Sequence, residues 1–220
     1  MRARATDGEA YSEWTEPKVV RLRDAARHRF GAGLHLVGVP MNLDDPTPES
    51  LFPGCDVAGD WTGSQYRRPI TALEPGRGYW VEISSPLDCE AIGTAVGDSC
   101  RVTLEGRGWH LLGNPFAEPL PWSNVFSPDM ARVGWYYDSE HHSYRLLADG
   151  GWAAGENEIP AWSGFWVVTS ADRTEVTIQR SGAAAAQVVE PLSLAPQSEG
   201  DWCIRLIAEA GVCEDTDNYI

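Results

Sequence analysis

Short hydrophobic runs separated by glycine and proline indicate a chain of β-strands. Residues 34–39 and 109–113 carry apolar side chains on both faces, as strands that are covered on both sides do. Pro40 and Pro115 follow these runs and should end them, because proline has no N–H to donate to a sheet. The two runs therefore predict buried core strands of similar length.

Other runs alternate between apolar and polar positions. Residues 79–83 place Trp80 on the face opposite its odd-numbered neighbours, because successive side chains of a strand point to opposite faces. Residues 100–104 and 174–180 read as two further strands. The chain has 22 Gly and 15 Pro, which favours many turns and short strands over long helices. These patterns predict an all-β fold of short antiparallel strands.

The chain contains an internal repeat. Residues 33–40 align with residues 108–115 at five identical positions of eight, and residues 73–81 align with residues 159–167 in the same order. Gly38 and Gly113 hold matched positions in these strands, and a glycine within a strand predicts a bulge or the close approach of another backbone segment. The repeat positions that we expect to carry the fold are Gly38, Gly78, Trp80, Trp109, Gly113, Gly164 and Trp166.

The repeat divides the chain into segments. Residues 102–112 run from one copy to the next without a linker, so the two copies are expected to pack as one pseudo-symmetric, sandwich-like unit. The predicted organisation is the tail of an upstream domain at 1–26, repeat copies at 27–100 and 101–182, a linker at 183–200, and the truncated start of a further β domain at 201–220.

Two stretches resemble known families. Gly-Trp-x-Leu-x-Gly-x-Pro at 108–115 and Leu-x-Pro-Gly-x-Gly-Tyr-Trp-Val at 73–81 are similar to an all-β repeat of bacterial secreted and cell-surface proteins. Residues 11–23, with Ser-x-Trp-Thr-x-Pro before an alternating strand, resemble the last strand of a fibronectin type III domain. The resemblance implies an extracellular location and a scaffold or binding role, and it carries over no catalytic residue.

Charge narrows the range of partners. The chain has 17 Lys plus Arg against 32 Asp plus Glu, a net charge of −15. An acidic surface repels phosphate backbones and anionic lipids, so neither nucleic acid nor membrane is expected as a partner. No run approaches the roughly 20 apolar residues of a membrane span. Both ends read as cut from a longer multidomain protein, whose export signal would lie outside this segment.

The chain has ten Trp residues, and exposed indole rings are candidates for ligand binding. Trp80, Trp109 and Trp166 recur at repeat positions, so we expect them in the core, where a large indole fills much of a small sandwich. Trp152 and Trp162 lie in the loop-rich second copy and are the candidates for exposed platforms that stack on sugar rings. The candidate ligand-binding residues are therefore Trp152, Trp162, Tyr136 and Tyr144.

Other chemistry-bearing residues favour structural roles. His35 and His110 share a repeat position and are expected to bond a neighbouring backbone group. Five Cys without a Cys-x-x-Cys pair do not suggest zinc. They leave open a Cys89–Cys100 bridge, a Cys203–Cys213 bridge or free thiols. The sequence has no nucleophile elbow and no phosphate-binding glycine loop, so we expect no cofactor, no metal and no catalytic residue.

These features favour a non-catalytic structural or interaction module of a larger bacterial extracellular or cell-surface protein, functioning as a monomeric unit. The alternative is a carbohydrate-binding or adhesive module that uses exposed Trp and Tyr. Possible partners are a polysaccharide or another surface protein.

Overall fold

The computed structural model describes residues 23–61, 65–148 and 157–180, together with the backbone of 205–210 and 213–219. The predicted all-β fold is confirmed, with antiparallel pairing throughout these parts. The expected fibronectin-like strand at 11–23 and the linker at 183–200 fall almost entirely outside the described residues.

The described residues of the first repeat form seven strands and one short helix. They are β1 (Asp24–Phe30), β2 (Gly33–Gly38), β3 (Met41–Leu43), α1 (Pro48–Leu51), β4 (Asp56–Trp61), β5 (Tyr66–Arg67), β6 (Gly78–Ile83) and β7 (Leu87–Ala95).

Within residues 99–148 and 157–180, the second repeat adds nine strands and one 3-10 turn at Trp122–Asn124. Its strands are β8 (Ser99–Glu105), β9 (Gly108–Gly113), β10 (Leu120–Pro121), β11 (Val125–Phe126), β12 (Met130–Asp138), β13 (Ser143–Ala148), β14 (Glu158–Ile159), β15 (Gly164–Thr169) and β16 (Arg173–Gln179). A separate hairpin pairs β17 (Arg205–Ala210) with β18 (Cys213–Tyr219).

The two repeats share one sheet topology. Each has a four-stranded sheet, ordered β2-β6-β4-β5 in the first repeat and β9-β15-β12-β13 in the second. Each also has a three-stranded sheet, ordered β1-β7-β3 and β8-β16-β11. Matching strands hold matching places, which supports the duplication inferred from the sequence. The strands begin slightly before the expected boundaries, with β1 at Asp24 and β8 at Ser99.

Each repeat has its own hydrophobic core between its four-stranded and three-stranded sheets. In the first, Tyr79, Val81 and Ile83 on β6 are buried against Ala26 and Ala91 of the three-stranded sheet. In the second, the core residues include Val102, Leu112, Phe165, Val176 and Ile178. Period-2 alternation of apolar side chains produces this arrangement, because it turns one face of each strand inward.

A third cluster lies where the repeats meet. Leu36, Ala58, Trp80 and Leu111 are buried together on the faces of the four-stranded sheets that point away from the two cores. Both faces of these sheets are therefore covered near their centres. This is why the runs at 34–39 and 109–113 are apolar on both sides.

Candidate functional site at the junction of the repeats

The repeat glycines allow the backbones of the two repeats to cross in van der Waals contact. A Cβ on Gly113 would lie 2.7 Å from Cα of Gly38 and would collide with the Arg77 carbonyl. A Cβ on Gly78 would also clash with the Leu112 carbonyl, and a Cβ on Gly164 would crowd the Leu36 side chain and the Val37 carbonyl. The expected close backbone neighbour at Gly38 and Gly113 is confirmed, and that neighbour is the other repeat.

Two hydrogen bonds cross the junction in a symmetric pair. The Gly38 N–H donates to the Trp162 carbonyl at 3.0 Å, and the Gly113 N–H donates to the Gly76 carbonyl at 3.1 Å. Gly76 and Trp162 hold the same position in the turn before β6 and β15. Each turn therefore binds the strand of the other repeat through a backbone carbonyl.

The same turns exchange packing contacts. Gly76 lies directly against Val102 and Cys100 of the second repeat. Trp162 is 3% exposed and packs into the core of the first repeat, with its indole 6.0 Å from the ring of Phe30. The expectation that Trp162 is an exposed platform is therefore wrong. Its ring fills an apolar space that its own repeat does not provide.

Six aromatic side chains form a closed circuit across the junction, which we call the aromatic hexad. Its members are Trp61, Tyr66, Trp80, Tyr137, Tyr144 and Trp166. Trp80 of the first repeat meets Tyr137 of the second at 5.1 Å between ring centroids, and Trp166 meets Trp61 at 6.0 Å. The hexad therefore follows the pseudo-twofold relation between the repeats.

Hydrogen bonds complete the circuit within each repeat. The Trp80 indole N–H donates to the Tyr66 hydroxyl at 3.1 Å. In the second repeat, the Trp166 side chain interacts with the Tyr144 hydroxyl. The bond to Tyr66 satisfies the Trp80 indole N–H, while other neighbouring rings of the hexad pack edge to face, a preferred geometry of aromatic pairs.

The recurring Trp residues thus have roles that differ from the expected one. Trp80 is buried, as expected, but Trp80 and Trp166 lie in the junction and not in the core of either repeat. Trp166 is only half-buried. The expectation that Trp109 is a core residue is wrong, because Trp109 is 37% exposed and its repeat counterpart Leu34 is 42% exposed. Both lie near the strand ends farthest from the glycine crossing.

Of the four predicted ligand-binding residues, Trp162 and Tyr136 line one cleft between the repeats, and Tyr144 lies outside it. Tyr144 is exposed and belongs to the hexad. Tyr136 lies on the opposite face of β12, half-buried against the second core. Trp152 lies outside the described residues. Tyr66 and Trp109, two further exposed rings of this surface, were missed by the sequence interpretation.

A cleft of about 650 Å³ opens beside the hexad, between the two repeats. The turn after β1, the hairpin between β12 and β13 and the turn before β15 form its walls. Its lining includes His28, His35, Tyr137, Asp138, His142 and Trp162. The histidines come from three separate segments, so no local sequence pattern could have predicted the cleft.

The two repeat histidines make the backbone bond that the sequence predicted. Nε2 of His35 lies 2.9 Å from the Gly31 carbonyl, and Nε2 of His110 lies 2.9 Å from the Gly106 carbonyl. His35 also contacts the edge of Phe30, at 5.2 Å between ring centroids. Each imidazole therefore holds the turn that precedes its strand.

Burial affects the protonation of two histidines in the cleft, His28 and His35. It lowers the pKa of His28, and the nearby His35 lowers it further. Burial also lowers the pKa of His35, with a contribution from His142, although the Gly31 carbonyl acts in the opposite direction. Both imidazoles are therefore held neutral over a wider pH range than a free histidine.

Asp138 is the acidic group best held in the cleft. Partial burial acts to raise its pKa, but hydrogen bonds from His141 and Arg145 outweigh it and lower the pKa. Nδ1 of His141 lies 2.8 Å from a carboxylate oxygen, and Nε of Arg145 lies 3.1 Å from the same oxygen. The tip of the hairpin is therefore organised around the Asp138 carboxylate, whose charge is balanced by these hydrogen-bond donors.

The described cysteines are free thiols. Cys89 is buried in the first core, where its thiol donates to the Leu51 carbonyl and burial raises its pKa to about 12. Cys100 packs against the second core, so the two are not bridged. The side chains of Cys203 and Cys213 lie outside the described residues.

Within the described residues, no group of three His, Cys, Asp or Glu side chains is arranged to hold a metal ion. Over the same parts of the chain, no helix is long and apolar enough to span a bilayer. No family model, curated protein or solved structure matches the chain.

Proposed function

We propose that the paired repeats form a non-catalytic structural and interaction module within a larger bacterial extracellular or cell-surface protein. The observation that carries this proposal is the reciprocal packing at the junction. The turn of each repeat binds the other, and Trp80 and Trp166 join the repeats instead of lining a cavity. Such a unit is suited to hold neighbouring segments in a fixed relative orientation.

The test of the module is its cooperativity together with its lack of turnover. Chemical unfolding of the 220-residue chain, followed by Trp fluorescence and by far-UV circular dichroism, should show coincident transitions for the two repeats. Two separated transitions would contradict a single unit. Turnover in hydrolase assays on polysaccharide and peptide panels would contradict a non-catalytic role.

The extracellular location rests on the family resemblance and has its own test. Protease treatment of intact cells of the native host should remove the epitope of this segment while a cytoplasmic marker survives. Protection of the epitope in intact cells, with loss after lysis, would place the protein inside and overturn the location.

A carbohydrate-binding or adhesive role is the second candidate. The observation that favours it is the partial exposure of Trp109, Tyr66 and Tyr144 around the junction. Their contacts with neighbouring rings are tilted or edge to face and not coplanar. A flat sugar-stacking row is therefore not formed by these three, and ligand recognition would need another surface.

A further inference from the structure

The junction cleft has the size and position of a ligand site. Its volume of about 650 Å³ falls within the roughly 300–1,000 Å³ typical of small-molecule sites, which commonly lie where two units meet. Both repeats contribute walls, so the cleft exists only because they are docked. The hexad touches it through Tyr137, which is common to both.

One wall of the cleft is aromatic. His28 stacks on Trp162 with ring centroids 5.7 Å apart and an angle of 22° between the ring planes. Phe30 meets His28 edge to face at 4.4 Å, which holds the imidazole in place. A ring held this way offers a flat surface to a ligand that has an apolar face of its own.

The other wall offers groups that both donate and accept hydrogen bonds. The Tyr137 hydroxyl lies 3.5 Å from Nδ1 of His142, and Asp138 stands beside them on the same hairpin. A hydroxyl and a neutral imidazole each have one donor and at least one acceptor. Sugar hydroxyls need this combination, because each of them also donates and accepts.

The charges around the cleft disfavour anionic ligands. Arg29, which lines the cleft, pairs with Asp88 at 3.8 Å, and Arg145, which lies behind the cleft wall, is engaged by Asp138. Glu140 adds a negative charge at the entrance, in a chain of net charge −15. Phosphates and uronic acids would meet repulsion here and no unpaired cation from these two arginines.

We propose that the junction cleft binds a neutral saccharide, with an apolar sugar face against His28 and the sugar hydroxyls bonded to Tyr137 and His142. The proposal rests on the proposed function, since it names the ligand class of that interaction module. It places recognition in the cleft rather than on the exposed rings of Trp109, Tyr66 and Tyr144.

The test is calorimetric titration of the 220-residue chain with neutral oligosaccharides of glucose, xylose, mannose, galactose and N-acetylglucosamine, with uronic-acid oligomers and acidic peptides as comparison probes. At least one neutral oligosaccharide should bind saturably. His142→Ala and His28→Ala should each weaken it about tenfold, because each removes a wall of the cleft.

Ile92→Ala is the control, since Ile92 is an exposed residue of β7 that does not line the cleft. It should bind within about twofold of the unmodified chain. Each variant is checked by its thermal midpoint. If His142→Ala fails to fold, His142→Phe keeps a ring and removes the polar atoms, and it should weaken binding equally.

Three results would overturn the proposal: no binding of any neutral oligosaccharide at millimolar concentration, binding only of uronic acids or peptides, or saccharide binding that His142→Ala and His28→Ala leave unchanged. Loss of the cleft proposal alone would leave a chain that unfolds in one transition and shows no turnover. Cleavage of a bound saccharide would instead overturn the non-catalytic function.

Discussion

Gly76 and Trp162 occupy the same turn position of the two repeats, and both have left-handed backbones, with φ of 81° and 64°. Glycine adopts this conformation without penalty, whereas an L side chain incurs roughly 1–2 kcal/mol. The second repeat accepts this strain at Trp162 because the indole fills the core of the first.

This relationship predicts an unusual order of stability. Trp162→Ala should destabilise the chain by about 3–5 kcal/mol through loss of a buried indole. Trp162→Gly loses the same ring but relieves the backbone, so it should be about 1 kcal/mol more stable than Trp162→Ala. Urea unfolding of both variants measures the difference.

The control for that order is Trp135, which lies within strand β12. There the usual order should hold, with Trp135→Ala more stable than Trp135→Gly because glycine weakens a strand. If Trp162→Gly were less stable than Trp162→Ala, the left-handed turn would not exist in solution.

The glycine crossing predicts a second effect on stability. Gly113→Ala places a methyl group against the Arg77 carbonyl and the Gly38 backbone, neither of which can rotate away. We expect a loss of about 1–3 kcal/mol or more in the free energy of unfolding. The matched control is Gly97→Ala, where a Cβ would meet nothing within 4 Å.

Gly97→Ala should change the free energy of unfolding by less than about 0.5 kcal/mol. Denaturant titration of both variants gives the comparison. Equal stability of the two would mean that the repeats are not in contact at Gly113.

The hexad predicts energetic coupling between the repeats. Trp80 and Tyr137 meet at 5.1 Å across the junction, so a double-mutant cycle with Trp80→Ala and Tyr137→Ala should show a coupling energy of about 0.5–1.5 kcal/mol. Ile92, an exposed residue of β7, provides the control pair with Trp80, and its effects should be additive. Additivity for Trp80 and Tyr137 would contradict the junction packing.

The cleft histidines predict a pH dependence of stability. The pKa values of His28 and His35 are lowered in the folded chain, so below about pH 6.5 the unfolded chain binds more protons than the folded one. Stability should therefore fall as the pH drops below about 6.5, until the folded-state pKa values are reached. The groups facing these imidazoles are each other, His142 and the carbonyl of Gly31.

Unfolding midpoints measured between pH 7.5 and pH 5 check this expectation, with the double variant His28→Gln/His35→Gln as the comparison. The double variant should have a flatter profile over that range. An identical profile would assign the pH dependence to other groups.

The sequence predicted features that depend on local pattern or on the repeat, and it did not predict packing contacts between residues that are far apart along the chain. Alternation and repeat alignment predicted the strands, the glycine contact and the backbone bonds of His35 and His110, because each follows from local pattern or from symmetry. The position of Trp162 could not be predicted in the same way, since the core that it enters belongs to residues more than 70 positions away.

The prediction that Trp109 is a core residue is wrong for a different reason. Its strand is apolar on both faces, but the covering sheet reaches only the end that carries Gly113. Periodicity identifies the face on which a side chain lies; it does not show how far the neighbouring layer extends over that face.

The exchange of turns between the repeats has a consequence for how the unit holds together. Each repeat presents the same surface to the other, as the subunits of a twofold-symmetric dimer do. In a dimer, such a contact would be lost on dilution. Here the short connection between β7 and β8 makes the association intramolecular, so the docked arrangement is independent of protein concentration.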